Sequence, residues 1–207
     1  MLIKNIATAA VATVLAISSG AVNAEARSKH VTFKHIKSKN ILMQSGAHYQ
    51  ATMPPFAYIQ FCVRHRGACS NISGRLAMSG ANSVKLTSRL QGQLASINRR
   101  VNSRMRAISD KGADKWAVGG RSGDCEDFAM TKRALLIAAG WPSRALSLTV
   151  VKTSWGEGHA VLSVRTSSGT MVLDNLARNI KPLASVPYRI VSMQGSSALS
   201  WTRRGDI

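Results

Sequence analysis

One cysteine, one histidine and one aspartate stand out by type and by order along the chain. Cys125 sits in Gly123-Asp124-Cys125-Glu126-Asp127-Phe128-Ala129, at the start of a stretch with helical character. A thiol there is favoured as thiolate, because the first backbone N–H groups of a helix lack partners and the dipole is positive. The same N–H groups can hold a developing oxyanion. A thiol nucleophile also needs a base, and the base needs an orienting group. Of the five histidines only His159 falls in the C-terminal half, after Trp155-Gly156-Glu157-Gly158. Asp174 lies in the next alternating segment. Each also has a structural reading: a buried helix cysteine, a histidine at a strand start, a polar strand end. Their order on helix, strand and strand favours a catalytic Cys125-His159-Asp174 triad.

The two strands must pair in one register for this to work. Thr166-Ser167-Ser168-Gly169 reads as a hairpin turn. If Arg165 pairs with Thr170, His159 faces Leu176. Asp174 is then its diagonal neighbour on the same face, about 7–8 Å away by Cα. A slip of one residue would put the two on opposite faces.

The acids around Cys125 work against it. Asp124, Glu126 and Asp127 place negative charge beside a group that must ionise, and like charge raises its pKa. Asp127 suits the first helical turn. Asp124 and Glu126 have two readings. They pair with Lys132, Arg133 or Arg121, or they hold a divalent cation, for which carboxylates without sulfur or imidazole indicate Ca²⁺. There is no EF-hand spacing. The cysteine and histidine pattern gives no zinc site near Cys125.

The elements that must position these residues follow from periodicity. In residues 84–108, Leu86, Leu90, Leu94, Ile97, Val101, Met105 and Ile108 form one apolar stripe, with arginines on the other faces. Asn82 or Ser83 can cap this helix. The basic face suits a solvated surface better than a nucleic-acid grip. Residues 110–122 read as loop. A second helix is expected from Cys125 or Glu126 to Ala139, stopped by Gly140 with Pro142 beyond. Period two then marks strands at 146–152, 159–165, 170–176 and 188–193. Residues 51–69, with Pro54 and Pro55, read as an irregular lead-in. Helices followed by an antiparallel sheet give an α+β class.

The chain has 207 residues, enough for one domain with a sizeable core. Its 28 Lys+Arg against 9 Asp+Glu give a net charge of +19, which implies attraction to acidic partners. Residues 26–109 hold 14 basic side chains and no acid, whereas five of the nine acids fall within 124–174. The first 24 residues have the form of an export signal: Lys4, an apolar stretch from Ile6 to Ile17, and small residues up to Ala24. Residues 25–50 then read as a basic, flexible arm, and 51–207 as the folded domain. An exported chain meets an oxidising compartment. Cys62 and Cys69 can there close a short disulfide loop, leaving Cys125 as a free, reactive thiol. The alternative is that Cys125 pairs with one of them.

The blocks Gly123-Asp124-Cys125-Glu126-Asp127, Gly158-His159-Ala160-Val161-Leu162 and Val172-Leu173-Asp174-Asn175-Leu176 resemble the bacterial transglutaminase-like cysteine peptidases, a family with an adhesin-releasing periplasmic branch. Cys62, Cys69, Val101-Asn102 and Trp116 match its upstream pattern, and the resemblance runs from about Pro54 to Trp201. It implies a papain-like/transglutaminase-like core with N-terminal helices packed on a C-terminal antiparallel sheet. It assigns Cys125 as nucleophile, His159 as base and Asp174 as orienter. In the adhesin-releasing branch the acids beside the nucleophile, here Asp124 and Glu126, are implicated in calcium binding. The expected function is an exported cysteine endopeptidase acting on an acidic or surface-attached protein, such as a large adhesin. No cofactor is required for the chemistry itself, and no nucleic-acid partner is expected. The chain is expected in the periplasm, as a monomer, with an inner-membrane receptor as a regulatory partner. The same triad also serves acyl transfer to an amine. A non-catalytic basic module binding anionic polymer is the third reading.

Overall fold

A computed structural model describes residues 49–69 and 81–205. The expected export signal and residues 25–48 of the expected arm lie outside the described residues. No helix among the described residues is long and apolar enough to cross a membrane.

The first strand, β1 (Tyr49–Thr52), begins two residues before the expected domain start. Residues 51–69 are not irregular, as the prolines suggested. Pro55 stands at the N-cap of α1 (Phe56–Arg64), where a fixed φ and a missing N–H cost nothing. Ala57, Tyr58 and Phe61 then form its buried side. The short α2 (Arg66–Cys69) follows, and a disulfide joins Cys69 back to Cys62. Cys125 is free.

The long helix is shorter than its apolar stripe. α3 spans Ser88–Arg104, and its cap is Thr87, whose Oγ1 accepts from the Leu90 N–H at 3.3 Å. Leu94, Ile97 and Val101 are buried in the core. The stripe overran at both ends because tertiary contacts took the flanking backbone. Val84 bridges to Thr166, and Met105 turns extended to begin β2 (Arg106–Ala107). Strand β2 pairs in parallel with β3 (Ser122–Gly123), and Ile108 is left 47% exposed.

Helix α4 (Cys125–Ala138) ends as its sequence indicated. Gly140 adopts φ +90°, its N–H bonds Ile137 O, and the Trp141 N–H bonds Leu136 O. These two bonds make a Schellman stop, and the residue beyond it, Trp141, is buried.

The remaining strands are β4 (Leu146–Lys152), β5 (Gly158–Thr166), β6 (Gly169–Leu173), β7 (Lys181–Pro182), β8 (Arg189–Gln194) and β9 (Trp201–Arg204). With β1 they form a seven-stranded antiparallel sheet in the order β1-β9-β8-β4-β5-β6-β7. Arg165 pairs with Thr170, the register that puts His159 and Asp174 on one face and that the turn allowed without requiring. The architecture is the expected mixed one of helices against an antiparallel sheet, extended at both edges by short strands whose few residues carry no alternation. The helices pack on one face over Leu146, Leu148, Leu162, Val164 and Leu173. Val151, Val161 and Val172 form a smaller cluster on the other, with Tyr188 and Ile190 against it.

One charged side chain is wholly buried in this core. Lys132, on α4, is 0% exposed, with its ammonium 5.9 Å from the Phe128 ring centroid. Burial pushes its pKa down to about 7, against the pull of the Asp174 carboxylate. The unfolded chain holds that proton up to about pH 10.4, so between the two values it binds more protons than the folded chain and stability rises with pH. Lys132→Met should therefore lower the pH slope of unfolding free energy between pH 7 and 9 by up to about 1.4 kcal/mol per unit. Urea unfolding of both chains at the two pH values measures the difference. Equal slopes would mean that Lys132 is charged in the fold.

Candidate active site

The site begins with a glycine. Cys125 is the first residue of α4, directly after β3. A Cβ built on Gly123 would lie 2.2 Å from Asp127 Oδ2 and 2.6 Å from Asp127 Cβ. Only glycine lets the β3 backbone pass this side chain. Asp127 in turn accepts from the Ala117 N–H at 2.7 Å, and Thr131 Oγ1 accepts from the Gly119 N–H at 2.9 Å. Two α4 side chains thus staple the loop 110–121 to their helix. The Arg106 N–H to Arg121 O and Ile108 N–H to Gly123 O bonds fix its other side.

Cys125 meets β5 at Ala160, the residue after His159, and its sulfur accepts from the Ala160 backbone N–H. His159 is buried, and its Nε2 lies 2.9 Å from Asp174 Oδ1. Its Nδ1 is left for other partners. Asp174 stands one residue past the end of β6, rather than within the strand as its alternation indicated. Leaving the ladder lets its carboxylate collect donors. Oδ1 also accepts from the Leu176 N–H at 2.9 Å, and Oδ2 accepts from Tyr188 Oη–H at 2.6 Å. Burial works against ionisation of Asp174, yet the bonds from His159, Tyr188 and Leu176 hold its pKa below the usual value. The Tyr188 ring also stands edge-on to the imidazole, centroids 5.7 Å apart. Helix α3 holds the same turn from outside: Asn102 Nδ2 donates to Asp174 O at 2.8 Å, and Asn98 Nδ2 to Ala177 O at 2.8 Å.

The acids near Cys125 make none of the salt bridges considered for them. Among the described residues the one carboxylate with an ion-pair partner is Asp174, with His159. Instead they crowd together. Asp110, Asp114 and Asp124 each offer an oxygen, all within 4.8 Å of one another. Asp124 Oδ1 is buried without a hydrogen-bond partner. Glu126 is 7% exposed and lies within hydrogen-bond reach of both Asp124 and Asp114. Burial, then these neighbours, push its pKa well up. The Cys125 thiol donates to Glu126 Oε2 at 3.2 Å. Burial first, and the Glu126 carboxylate next, push that thiol up to about 12, against the Ala160 N–H. Asp127 is pushed up to about 6, again mainly by burial.

Sequence reasoning singled out Asp124 and Glu126 but passed over Asp110 and Asp114, reading their segment as plain loop. The signal was available: they are the only acids between Glu25 and Asp124, in a loop leading straight to the cysteine. Tyr188 and Asn98 were missed outright, since neither carries a local pattern. The arrangement can do two things chemically. A buried His–carboxylate pair beside a thiol can move a proton, and a carboxylate set with an unmet oxygen can hold a hard cation.

Gly123→Ala tests how tightly the start of α4 is built. On an unstrained site this change stabilises, by about 0.4–1 kcal/mol. Here the clash with Asp127 should destabilise by about 1–3 kcal/mol. Urea unfolding gives the sign, and a neutral or stabilising result would mean that the Asp127 staple yields freely.

No curated protein sequence matches the chain. Similar solved structures include LapG from Legionella pneumophila in a calcium-bound form, 28% identical, covering 59% of this chain and 74% of that one, TM-score 0.48. An EGTA-treated form of that protein is 25% identical, covering 55% and 66%, TM-score 0.45. A third LapG structure is 25% identical, covering 56% and 70%, TM-score 0.47. The family model of the bacterial transglutaminase-like cysteine proteinases matches residues 48–206. The chain belongs to the bacterial transglutaminase-like cysteine proteinase family and is a cysteine peptidase.

Proposed function

We propose that the chain is an exported, calcium-dependent endopeptidase that cleaves an acidic envelope or cell-surface protein, such as an adhesin, with Cys125 as nucleophile, His159 as base and Asp174 as orienter. The observation that carries the reading is the chain of contacts Cys125–Ala160 N–H, next to His159 Nε2–Asp174 Oδ1 at 2.9 Å. Asp174 holds Nε2 protonated, which leaves Nδ1 to take the thiol proton. The thiolate adds to the scissile carbonyl, and the Cys125 N–H at the first position of α4 is placed to receive the oxyanion. The imidazolium then gives its proton to the departing amine, leaving an acyl-enzyme that water resolves with His159 as base. Family membership removes the non-catalytic reading. Product analysis with and without an added primary amine separates hydrolysis from acyl transfer.

The thiol is the weak link, because burial and Glu126 hold its proton. Asp110, Asp114 and Asp124 fit a calcium ion in donor type, and the unmet Asp124 Oδ1 is one ligand in waiting. Bound there, calcium would supply positive charge that offsets the carboxylates and favours the thiolate. Export to the periplasm and control by an inner-membrane receptor complete the reading.

The decisive experiment is iodoacetamide labelling of Cys125 across pH, with calcium, with chelator, and in His159→Ala. Calcium should permit rapid labelling near pH 7, and chelator should slow it by about tenfold, the equivalent of one pKa unit. His159→Ala should remove the fast phase. Slow labelling that responds to neither would sink both the triad and the cation reading. Indifference to chelator alone would remove calcium and leave the triad.

Tyr188→Phe probes the orienter. Without the hydroxyl, Asp174 loses a stabilising donor and its pKa rises, so the acid limb of kcat/KM should move to higher pH. The drop in kcat should be about tenfold, typical of losing an outer hydrogen bond to a catalytic group. An unchanged pH profile would assign Tyr188 to packing alone.

A further inference from the structure

A second site lies beside Asp174, on the side held by α3. A pocket of about 740 Å³ is lined by Arg99, Arg100 and Arg104 of α3 and by Arg178 of the β6–β7 connection, with Asn102 and Asn175 between them. Arginines in the last turns of a helix have an ordinary role, since they complement its dipole. That role does not account for Arg178, which another element brings to the same pocket. Nor is the gathering accidental: Asn98 donates to the carbonyls of Ala177 and Arg178, and Asn102 to those of Asp174 and Ala177, so the connection is pinned against α3. Four arginines thereby line one pocket. Among the described residues none has a carboxylate partner. Residues 26–109 contain no acid that could supply one locally.

Such a cluster repels itself and favours an anionic ligand. Guanidinium forks match carboxylates in paired hydrogen bonds. A polypeptide rich in Asp and Glu carries carboxylates along one backbone. The chain is a cysteine peptidase, so a polypeptide is the anionic polymer that would lie across its reactive site and this pocket together.

We infer that this pocket is an exosite that holds an acidic segment of the protein substrate alongside the triad, gripping its carboxylates with Arg99, Arg100 and Arg178. The inference rests on the peptidase reading above and adds where the substrate is held. Asn102 joins the two sites, since its Nδ2 donates to Asp174 O and the residue also lines the pocket. The exosite would let a cleft with modest sequence preference select acidic proteins by a contact remote from the scissile bond.

The test measures binding of a fluorescein-labelled Asp-Ser repeat peptide to the full chain carrying Cys125→Ser, by anisotropy at physiological salt. Three backgrounds are compared: no further change, Arg99→Gln/Arg100→Gln/Arg178→Gln, and the control Arg66→Gln/Arg203→Gln/Arg204→Gln, which removes equal charge from α2 and β9. The pocket triple should weaken binding by about tenfold or more, the loss of charge-assisted hydrogen bonds, and the control by less than about threefold. Equal losses in the two triples would show diffuse attraction and overturn the exosite. A loss confined to binding of fluorescein-labelled heparin would assign the pocket to an anionic polysaccharide and overturn it equally. Iodoacetamide labelling of Cys125 in the arginine variants with the thiol intact keeps the two readings apart. It should match the unsubstituted chain, because it reports the triad and not the pocket.

Discussion

The proposed nucleophile, Cys125, sits among carboxylates, and under that proposal the structure around it faces a conflict of charge. Asp124 and Glu126 flank Cys125 in sequence, and the fold adds Asp110 and Asp114 in space. Burial and the Glu126 carboxylate then hold the thiol protonated, which is the opposite of what a helix N-terminus does alone. Positive charge brought to this cluster, as in the proposed calcium site, would offset the conflict. The loop that carries Asp110 and Asp114 is accordingly fastened at several points, by the β2–β3 pairing and by the Asp127 and Thr131 staples from α4. Gly123 gives the backbone room to pass Asp127 at that junction. Structure and chemistry therefore share one requirement: the loop must keep its carboxylates within reach of the helix start.

The other half of the site solves a different problem. Asp174 must stay ionised although it is buried, and burial by itself opposes that. It does so by leaving the sheet. One residue past β6 its carboxylate gathers His159, Tyr188 and the Leu176 N–H, while Asn102 takes its carbonyl. The fully buried Lys132 adds a favourable charge from the α4 side whenever it holds its proton. Helix α3 serves both sides of this turn. Its inner face packs the core through Leu94, Ile97 and Val101, and its asparagines pin the connection that carries Arg178. Arginines on its remaining face line the pocket beside the turn together with Arg178.

Part of this was legible in advance. The α4 boundaries and the Gly140 stop rest on local rules, helix capping and positive φ at glycine, and the two-residue period of a strand allowed the Arg165–Thr170 register without requiring it. Local rules failed where a segment's conformation is set by distant backbone. The stripe from Leu86 to Ile108 reads as one helix, but Val84 is claimed by Thr166 and Arg106 by the chain at Ser122. Strands β1, β7 and β9 are too short to show a period and form only because an edge is there to pair with. The Pro54-Pro55 pair looked like a break and proved to be the start of a helix.

The sequence by itself determined which groups could react and on which elements they sit, because residue type, capping and periodicity act over a few neighbours. It also determined the sign of the problem at Cys125, since like charges adjacent in the chain repel in any fold. Only the tertiary structure decided who meets whom. It brought Asp110 and Asp114 to Asp124, set Tyr188 on Asp174, left the acids without the basic partners considered for them, and gathered Arg178 with the arginines of α3. These contacts join residues far apart in sequence. Their energies depend on burial and on the orientation of whole elements, quantities that exist only once the sheet and helices have packed.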